Sequence, residues 1–313
     1  MISFSLKRLL SGIALMFVVA TVTFFLMSIG SDTIARNLLG QNATEAQVLA
    51  KEQELGLDQP VFTRYLDWLG GVAQGDLGTS WFSSQQVTDM LASRFPVTFS
   101  VVIVAVLCTA VISAVLGIVA AVNRGWIDKS LTVGAMFGHA LPNFFVAVLL
   151  VWIFAVTLQW LPATGFTPIS EDPTQWARGI TLPVIALLFG TIPGTAQQVR
   201  GAVIDVLRQD YVRTLRSRGL SSRSVLFKHV LRNAAPPALT VLALQVVGLL
   251  GGAVIIERIF ALPGIGRLAV DSTQQQDIPV ILGFVLVMVA LVVVVNLLID
   301  LATGWLNPKA RLA

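Results

Sequence analysis

Six stretches of this chain, each about twenty residues or more, are free of charge until their very ends. They are 9–29, 97–122, 133–158, 180–198, 237–256 and 278–301, the last including Asp300. A helix rises about 1.5 Å per residue and the hydrocarbon core of a bilayer is about 30 Å thick, so about twenty apolar residues make one crossing. Strands of a membrane barrel would show weak alternation over about ten residues. The expected fold is therefore all-α: a polytopic membrane protein with about six transmembrane helices. Composition agrees, with 55% hydrophobic and only 12% charged residues, against about 25% charged in soluble domains. An ordinary soluble enzyme, a disordered chain and a disulfide scaffold are excluded. Cys108 is the single cysteine, and the two histidines, His139 and His229, lie ninety positions apart, so no metal cluster is expected. The first stretch follows Lys7 and Arg8 as a secretory signal would. Its apolar run exceeds the 7–15 residues of a signal core and no small-residue cleavage site follows, so an uncleaved span is expected.

Six spans place both termini and the loops after spans two and four on one side. Fourteen basic and four acidic residues fall there, against seven basic and thirteen acidic on the other. Basic residues mark the cytoplasmic side of short loops, so both termini are expected in the cytoplasm. The net charge of +4 reflects this asymmetry and does not indicate nucleic-acid binding. The chain divides into 1–30, the N-terminus and span one; 31–96, an extracytoplasmic loop element; 97–302, a core of spans two to six; and 303–313, a cytoplasmic tail.

Two loops carry their own organisation. The outer loop holds Leu55-Gly56-Leu57-Asp58-Gln59-Pro60 and Gly75-Asp76-Leu77-Gly78, with Tyr65, Trp68 and Leu69 between, and Glu45, Glu52 and Glu54 on a predicted helix. Loops of this length are functional or disordered; the aromatic residues and turn signals point to a small folded element. The inner loop, 199–235, is basic. Val203, Leu207, Tyr211 and Leu215 recur every four residues, one helix face. Gly219 interrupts, Ser221 or Ser222 caps a new helix, and Leu226, Phe227, Val230 and Leu231 form a second apolar stripe, which Pro236-Pro237 is expected to end. Lys228 and Arg232 occupy another face. Such a segment lies on anionic lipid or docks a cytoplasmic protein.

The chain has no phosphate-binding loop. In Gly125-Trp126-Ile127-Asp128-Lys129-Ser130, an acid stands where the second glycine of G-x-x-x-x-G-K-[ST] must be and would repel phosphate. Ion-coupled transport leaves acids or histidines inside the spans. Here the deep polar residues are Cys108, His139, Asn143, Gln197, Gln198, Gln245, Asn296 and Asp300. His139, Asn143 and Gln245 are pathway candidates; packing against a neighbouring carbonyl is the bland account of His139. This is a pathway without its own motor.

The inner-loop residues Asp210-Tyr211-Val212-Arg213-Thr214, Arg216-Ser217-Arg218-Gly219-Leu220-Ser221 and His229-Val230-Leu231-Arg232-Asn233-Ala234 resemble the cytoplasmic signature of binding-protein-dependent ABC importer permeases. Within them they resemble the B-type permease subunit of the dipeptide/oligopeptide/nickel branch. Leu141-Pro142-Asn143-Phe144, Trp160-Leu161-Pro162-Ala163-Thr164-Gly165, Leu262-Pro263-Gly264-Ile265-Gly266 and Asp277-Ile278-Pro279-Val280 agree, in the right order. The general signature begins Glu-Ala-Ala; Arg213-Thr214-Leu215 stands here, with Leu215 replacing a small residue.

The resemblance implies a multi-pass subunit of the bacterial cytoplasmic (inner) membrane that works with a second permease. Two cytoplasmic ATPases would hold the ATP and magnesium, so this chain itself would carry no cofactor. A substrate-binding protein would deliver peptides. Nickel chelates, opines or oligosaccharides are the alternative substrates; a stand-alone transporter and a recruiting scaffold are the alternative classes. The coupling residues it implies are Arg213, Arg218, Gly219, Leu220, Ser221, Val225, Leu226, Phe227, Arg232 and Asn233. Asp58, Gln59, Pro60, Gly75 and Asp76 would meet the binding protein, unless the outer loop is only a plug.

Overall fold

The computed structural model describes residues 2–29, 34–40, 42–123 and 125–306. Over these it is helical, with one isolated antiparallel bridge, Thr79 to Gln86. The helices are α1 (Ile2–Ser28), α2 (Ile34–Leu39), α3 (Glu45–Glu54), α4 (Val61–Ala73), α5 (Val87–Val122), α6 (Trp126–Ala140) and α7 (Asn143–Leu150), which continues as a π-helix, Val151–Thr157. Then come α8 (Pro173–Leu207), α9 (Asp210–Ser217) and α10 (Ser222–Ser224), continued by a π-helix, Val225–Val230. Last are α11 (Leu231–Ile259), α12 (Ile265–Gln275) and α13 (Ile278–Leu306).

Among the described residues five helices are long and apolar enough to cross a membrane; a sixth is obtained if α6 and α7 form one broken span. The third expected span is thus two helices, not one. The break has a local cause. Leu141 precedes proline and is extended, with φ −96° and ψ 120°, because the proline ring disfavours helical geometry in the residue before it. Other prolines are absorbed. Pro96, Pro183 and Pro193 lie inside α5 and α8. Pro236 and Pro237 lie inside α11 and do not end it as expected. Each removes an amide donor from the carbonyl four residues earlier. For Pro236 and Pro237 those carbonyls belong to Arg232 and Asn233, both exposed, where water can take the donor's place.

The chain separates into two compact bodies. One comprises Met1–Leu9, Val97–Pro263 and Val292–Ala313; the other comprises Leu10–Pro96 and Gly264–Leu291. The outer element therefore groups with most of span one, across the boundary drawn at 30, and with 264–291 from within the segment 97–302.

In the first body, α8 packs against α6, α7 and α11. Asp172 caps its start, accepting from the amides of Thr174 at 2.8 Å and Gln175 at 3.1 Å, with Pro173 at the first position, which needs no donor. Helices in lipid associate by close packing and polar contacts rather than by the hydrophobic effect. Gly117 of α5 supplies that approach: a Cβ there would lie 2.6 Å from the Ala196 carbonyl oxygen and 2.7 Å from Val199 Cβ. Thr109 shares a hydrogen bond with Thr191 at 3.2 Å, and Ser113 donates to the Ile192 carbonyl at 3.1 Å. Thr98 donates to Glu257, which is fully buried. Arg200 and Asp128 form a two-point ion pair, with Nη2 to Oδ2 at 2.7 Å. Asp300, at the end of the last span, pairs with Arg8 at 3.2 Å.

In the second body, α4 is held to α1 by an aromatic cluster of Phe24, Phe25, Tyr65 and Trp68, with ring centroids 5.2–6.2 Å apart. The Tyr65 hydroxyl shares a hydrogen bond with Thr21 at 2.8 Å. Thr44 and Gln47 form a capping box that starts α3.

Gly117→Val should separate α5 from α8. Backbone cannot yield as a side-chain tip can, and overpacking costs about 1–3 kcal/mol. The expected outcome is a lower thermal unfolding midpoint in detergent, with Gly201→Ala, where a Cβ meets open space, close to the parent.

Candidate functional site

The inner segment is built on one apolar cluster. Val199, Val203 and Val206 of α8, Val212 of α9, Val225 and Val230 of the π-turn, Ala234 of α11 and Ala121 of α5 are all buried. Outside the bilayer, each fully buried valine contributes about 1.5–3 kcal/mol. The expected single face of Val203, Leu207, Tyr211 and Leu215 is not one helix. α8 ends at Leu207 and Gln209 is extended, with φ −71° and ψ 146°. After this break Val212 is the buried residue, while Leu207, Tyr211 and Leu215 pack at the cluster's edge.

Gly219 ends α9. Its φ is +81°, its amide donates to the Arg216 carbonyl at 2.9 Å, and the Leu220 amide donates to the Leu215 carbonyl at 3.3 Å. These two bonds are a Schellman turn, and the left-handed position is the one that favours glycine. A Cβ on Gly219 would meet nothing within 4 Å, so backbone conformation alone selects the residue. Ser221 then caps the next helix, accepting from the Ser224 amide at 3.3 Å.

That helix follows the expected stripe at Val230 and, half-buried, at Leu226 and Leu231, but not at Phe227. It is a π-turn, in which residues five apart align, so Val225 and Val230 face the core and Phe227 is 65% exposed. Val225 is 1% exposed and holds the segment from within; Leu220, Leu226 and Leu231 are half-buried at the edge. Asn233 donates to the Tyr211 hydroxyl at 2.9 Å and to the His229 carbonyl at 3.0 Å, which ties α11 to α9. Arg213, Arg218, Gly219, Ser221 and Arg232 are exposed. The outcome is a rigid turn with a valine interior and an arginine-rich exterior.

The second surface is the outer element. Asp58, Gln59, Pro60, Gly75 and Asp76 are all exposed. Gly56, Gly75 and Gly78 have φ of +66°, +84° and +84°, and the Gly78 amide donates to Asp76 Oδ1 at 2.8 Å. Beneath the turns lies a group that the sequence did not single out. Asp277 is 2% exposed and accepts from the Ser80 hydroxyl at 2.5 Å and the Trp81 amide at 3.1 Å. Burial pushes its carboxyl above the usual carboxylate value, and the Ser80 and backbone donors only partly oppose this. The only sequence signal was its place in Asp277-Ile278-Pro279.

Of the pathway candidates, Asn143 packs where a Cβ on Gly190 would collide with its Oδ1; its Nδ2 would lie 3.7 Å from a Cβ on Gly252. Gln245 sits on α11 with Gly248 and Gly252 at helical spacing on the same face, so Asn143 and Gln245 border one glycine-lined strip. The His139 side chain lies outside the described residues, as do Arg124 and 307–313.

The chain matches the family model for the binding-protein-dependent transport system inner membrane component over residues 113–312 and the N-terminal model of the same component over 1–102. It is 38% identical over 307 residues to a Brucella abortus protein named for a peptide transport system permease, covering 98% of both chains. It is 36% identical over 335 residues to a di/tripeptide transport system permease protein of Pseudomonas aeruginosa, covering 99% of both. It is 35% identical over 312 residues to a glutathione transport system permease protein of Escherichia coli, again covering 99% of both. In fold it is similar to a chain of the methionine ABC transporter MetNI in inward-facing form. The TM-score is 0.55 at 15% identity, covering 70% of this chain and 97% of that one.

Because the ionised form of Asp277 is the disfavoured one, its contribution to stability is complete at acid pH and lost as pH rises through its raised pKa. Hydrogen exchange at 78–87, corrected for intrinsic rates, should show protection falling as pH rises above the usual carboxylate range. Asp277→Asn should flatten that dependence, and Ser80→Ala should move it to higher pH.

Proposed function

Since the chain belongs to the family of binding-protein-dependent transport system inner membrane components, we propose that it forms, with a second permease, the path of an ATP-driven peptide importer. The names of the relatives support peptides as the substrate class. The single observation that carries the reading is the Gly219 turn, which presents arginines outward from a core shared by α5, α8, α9 and α11. Two ATPase subunits dock from the cytoplasm and supply the ATP and magnesium; the sequence of this chain holds no phosphate-binding loop of its own. Both termini lie on that side. The substrate-binding protein docks outside, on Asp58–Pro60 and Gly75–Asp76.

The mechanism follows from rigidity. When the ATPases close on ATP, they move the turn, and the valine cluster carries α8 and α11 with it, so the spans rock between outward and inward states. Asn143 and Gln245 on their glycine-lined strip are candidates for the surface that peptide passes.

Gly219→Val tests the coupling. A β-branched residue at positive φ costs about 1–3 kcal/mol, enough to misplace the turn without unfolding the spans. The variant should insert and assemble yet lose substrate-stimulated ATP hydrolysis in nanodiscs. Arg218→Glu should weaken pull-down of the ATPase subunits, most at low salt, where charges are least screened. Parent-like behaviour of both variants would overturn the assignment. On the other face, photocrosslinkers at Gln59 or Thr79 should capture the binding protein during transport; capture at neither site would make the outer element a plug.

A further inference from the structure

A groove of about 600 Å³ lies beside the coupling segment, lined by Phe227, Lys228, Leu231, Arg232, Ala235 and Trp305. We propose that it holds the phosphate headgroup of an anionic phospholipid from the cytoplasmic leaflet. The proposal rests on the reading that this end of the molecule faces the cytoplasm.

Four features select this occupant. The groove's charged lining is two cations and no acid, and Lys228 is in no ion pair among the described residues. Lys228 and Arg232 are four residues apart across the π-to-α junction, so they project from neighbouring turns. Trp305 is 72% exposed at the end of the last membrane-spanning helix, the level at which tryptophan anchors an interface. Leu231 and the short Ala235 leave an apolar wall where the glycerol and first methylenes can lie. Because Trp305 ends a membrane-spanning helix, a lipid of the adjoining leaflet lies within reach of this space. Acyl chains also keep the phosphate at high local concentration, which a free anion lacks.

This divides the segment between two partners. The turn at Arg218–Ser221 meets the ATPase, and the face at Lys228 meets the membrane. The lipid then fixes the height of the turn relative to the bilayer.

The test uses the assembled transporter in nanodiscs of phosphatidylcholine with or without phosphatidylglycerol, read by native mass spectrometry after mild detergent release. Phosphatidylglycerol should be retained over phosphatidylcholine. Lys228→Gln should cut that preference about fivefold, equivalent to the ~1 kcal/mol of one basic side chain at an anionic surface. Lys228→Arg should keep it, and millimolar inorganic phosphate should not displace the lipid. Equal retention of the two lipids, indifference to Lys228→Gln, or full displacement by inorganic phosphate would overturn the proposal. So would a Lys228→Gln variant that loses ATPase subunits while its lipid preference is unchanged, since the groove would then be an ATPase surface. Labelling of Ser221→Cys by a membrane-impermeant maleimide separates the two readings. Labelling from outside intact cells overturns the sidedness, whereas protection there with no lipid preference overturns the lipid site alone.

Discussion

Hydrocarbon offers no hydrogen-bond partners, so every backbone amide and carbonyl within the bilayer must be bonded by the protein itself. The long helices follow from this, and so do the places where they fail. The break at Leu141-Pro142 falls between α6 and α7, both of which pack on α8. Pro236 and Pro237 free two carbonyls at exposed residues, close to the Gly219 turn, where water is available. The π-turns at 151–157 and 225–230 keep their amides bonded through a wider ring.

Two kinds of cohesion operate in one chain. Between spans, an apolar side chain gains little by leaving lipid for protein, and contact depends on close approach. Gly117 against Ala196 and Val199, the Thr109–Thr191 bond and the buried Thr98–Glu257 pair supply it. If the Gly219 turn stands in water, as the proposed function has it, burying Val203, Val212, Val225 and Val230 is itself a driving force. The segment around the Gly219 turn is thus the part of the first body that would hold together as a soluble domain does.

Periodicity and charge in the sequence were enough for helix class, the count of apolar stretches, the glycine turn and the Ser221 cap, because each depends on local chemistry. The broken third span was hidden, since a 26-residue apolar run looks the same whether or not proline bends it. The expected stripe held at Val230, with Leu226 and Leu231 at the cluster's edge, but a period of 3.6 applied to a π-turn missed Val225 and misplaced Phe227, which is exposed. The helix break at Gln209 was likewise invisible to a four-residue repeat that skips across it. Partners distant in sequence could not be read at all. Asp277 and Ser80 are 197 positions apart, and Glu257 and Thr98 are 159 apart. One sequence cannot show that an acid beside a span is buried.

The position of the valine cluster decides what a force on the turn can do. A turn joined to the spans only by its two chain ends would hinge at Gln209 and at Arg218–Gly219, and motion would dissipate there. Here the residues on either side of both breaks share one interior. Val206 and Val212 flank the first, and Leu215 and Leu220 flank the second, which the bond from the Asn233 amide to the Tyr211 hydroxyl also spans. Packed interiors are stiff and transmit displacement. Opening either hinge would expose several buried valines to water, at about 1.5–3 kcal/mol each, more than the backbone flexibility of one glycine returns. The glycine therefore sets the direction of the turn without making it a joint, and α8 and α11 move with it as one piece.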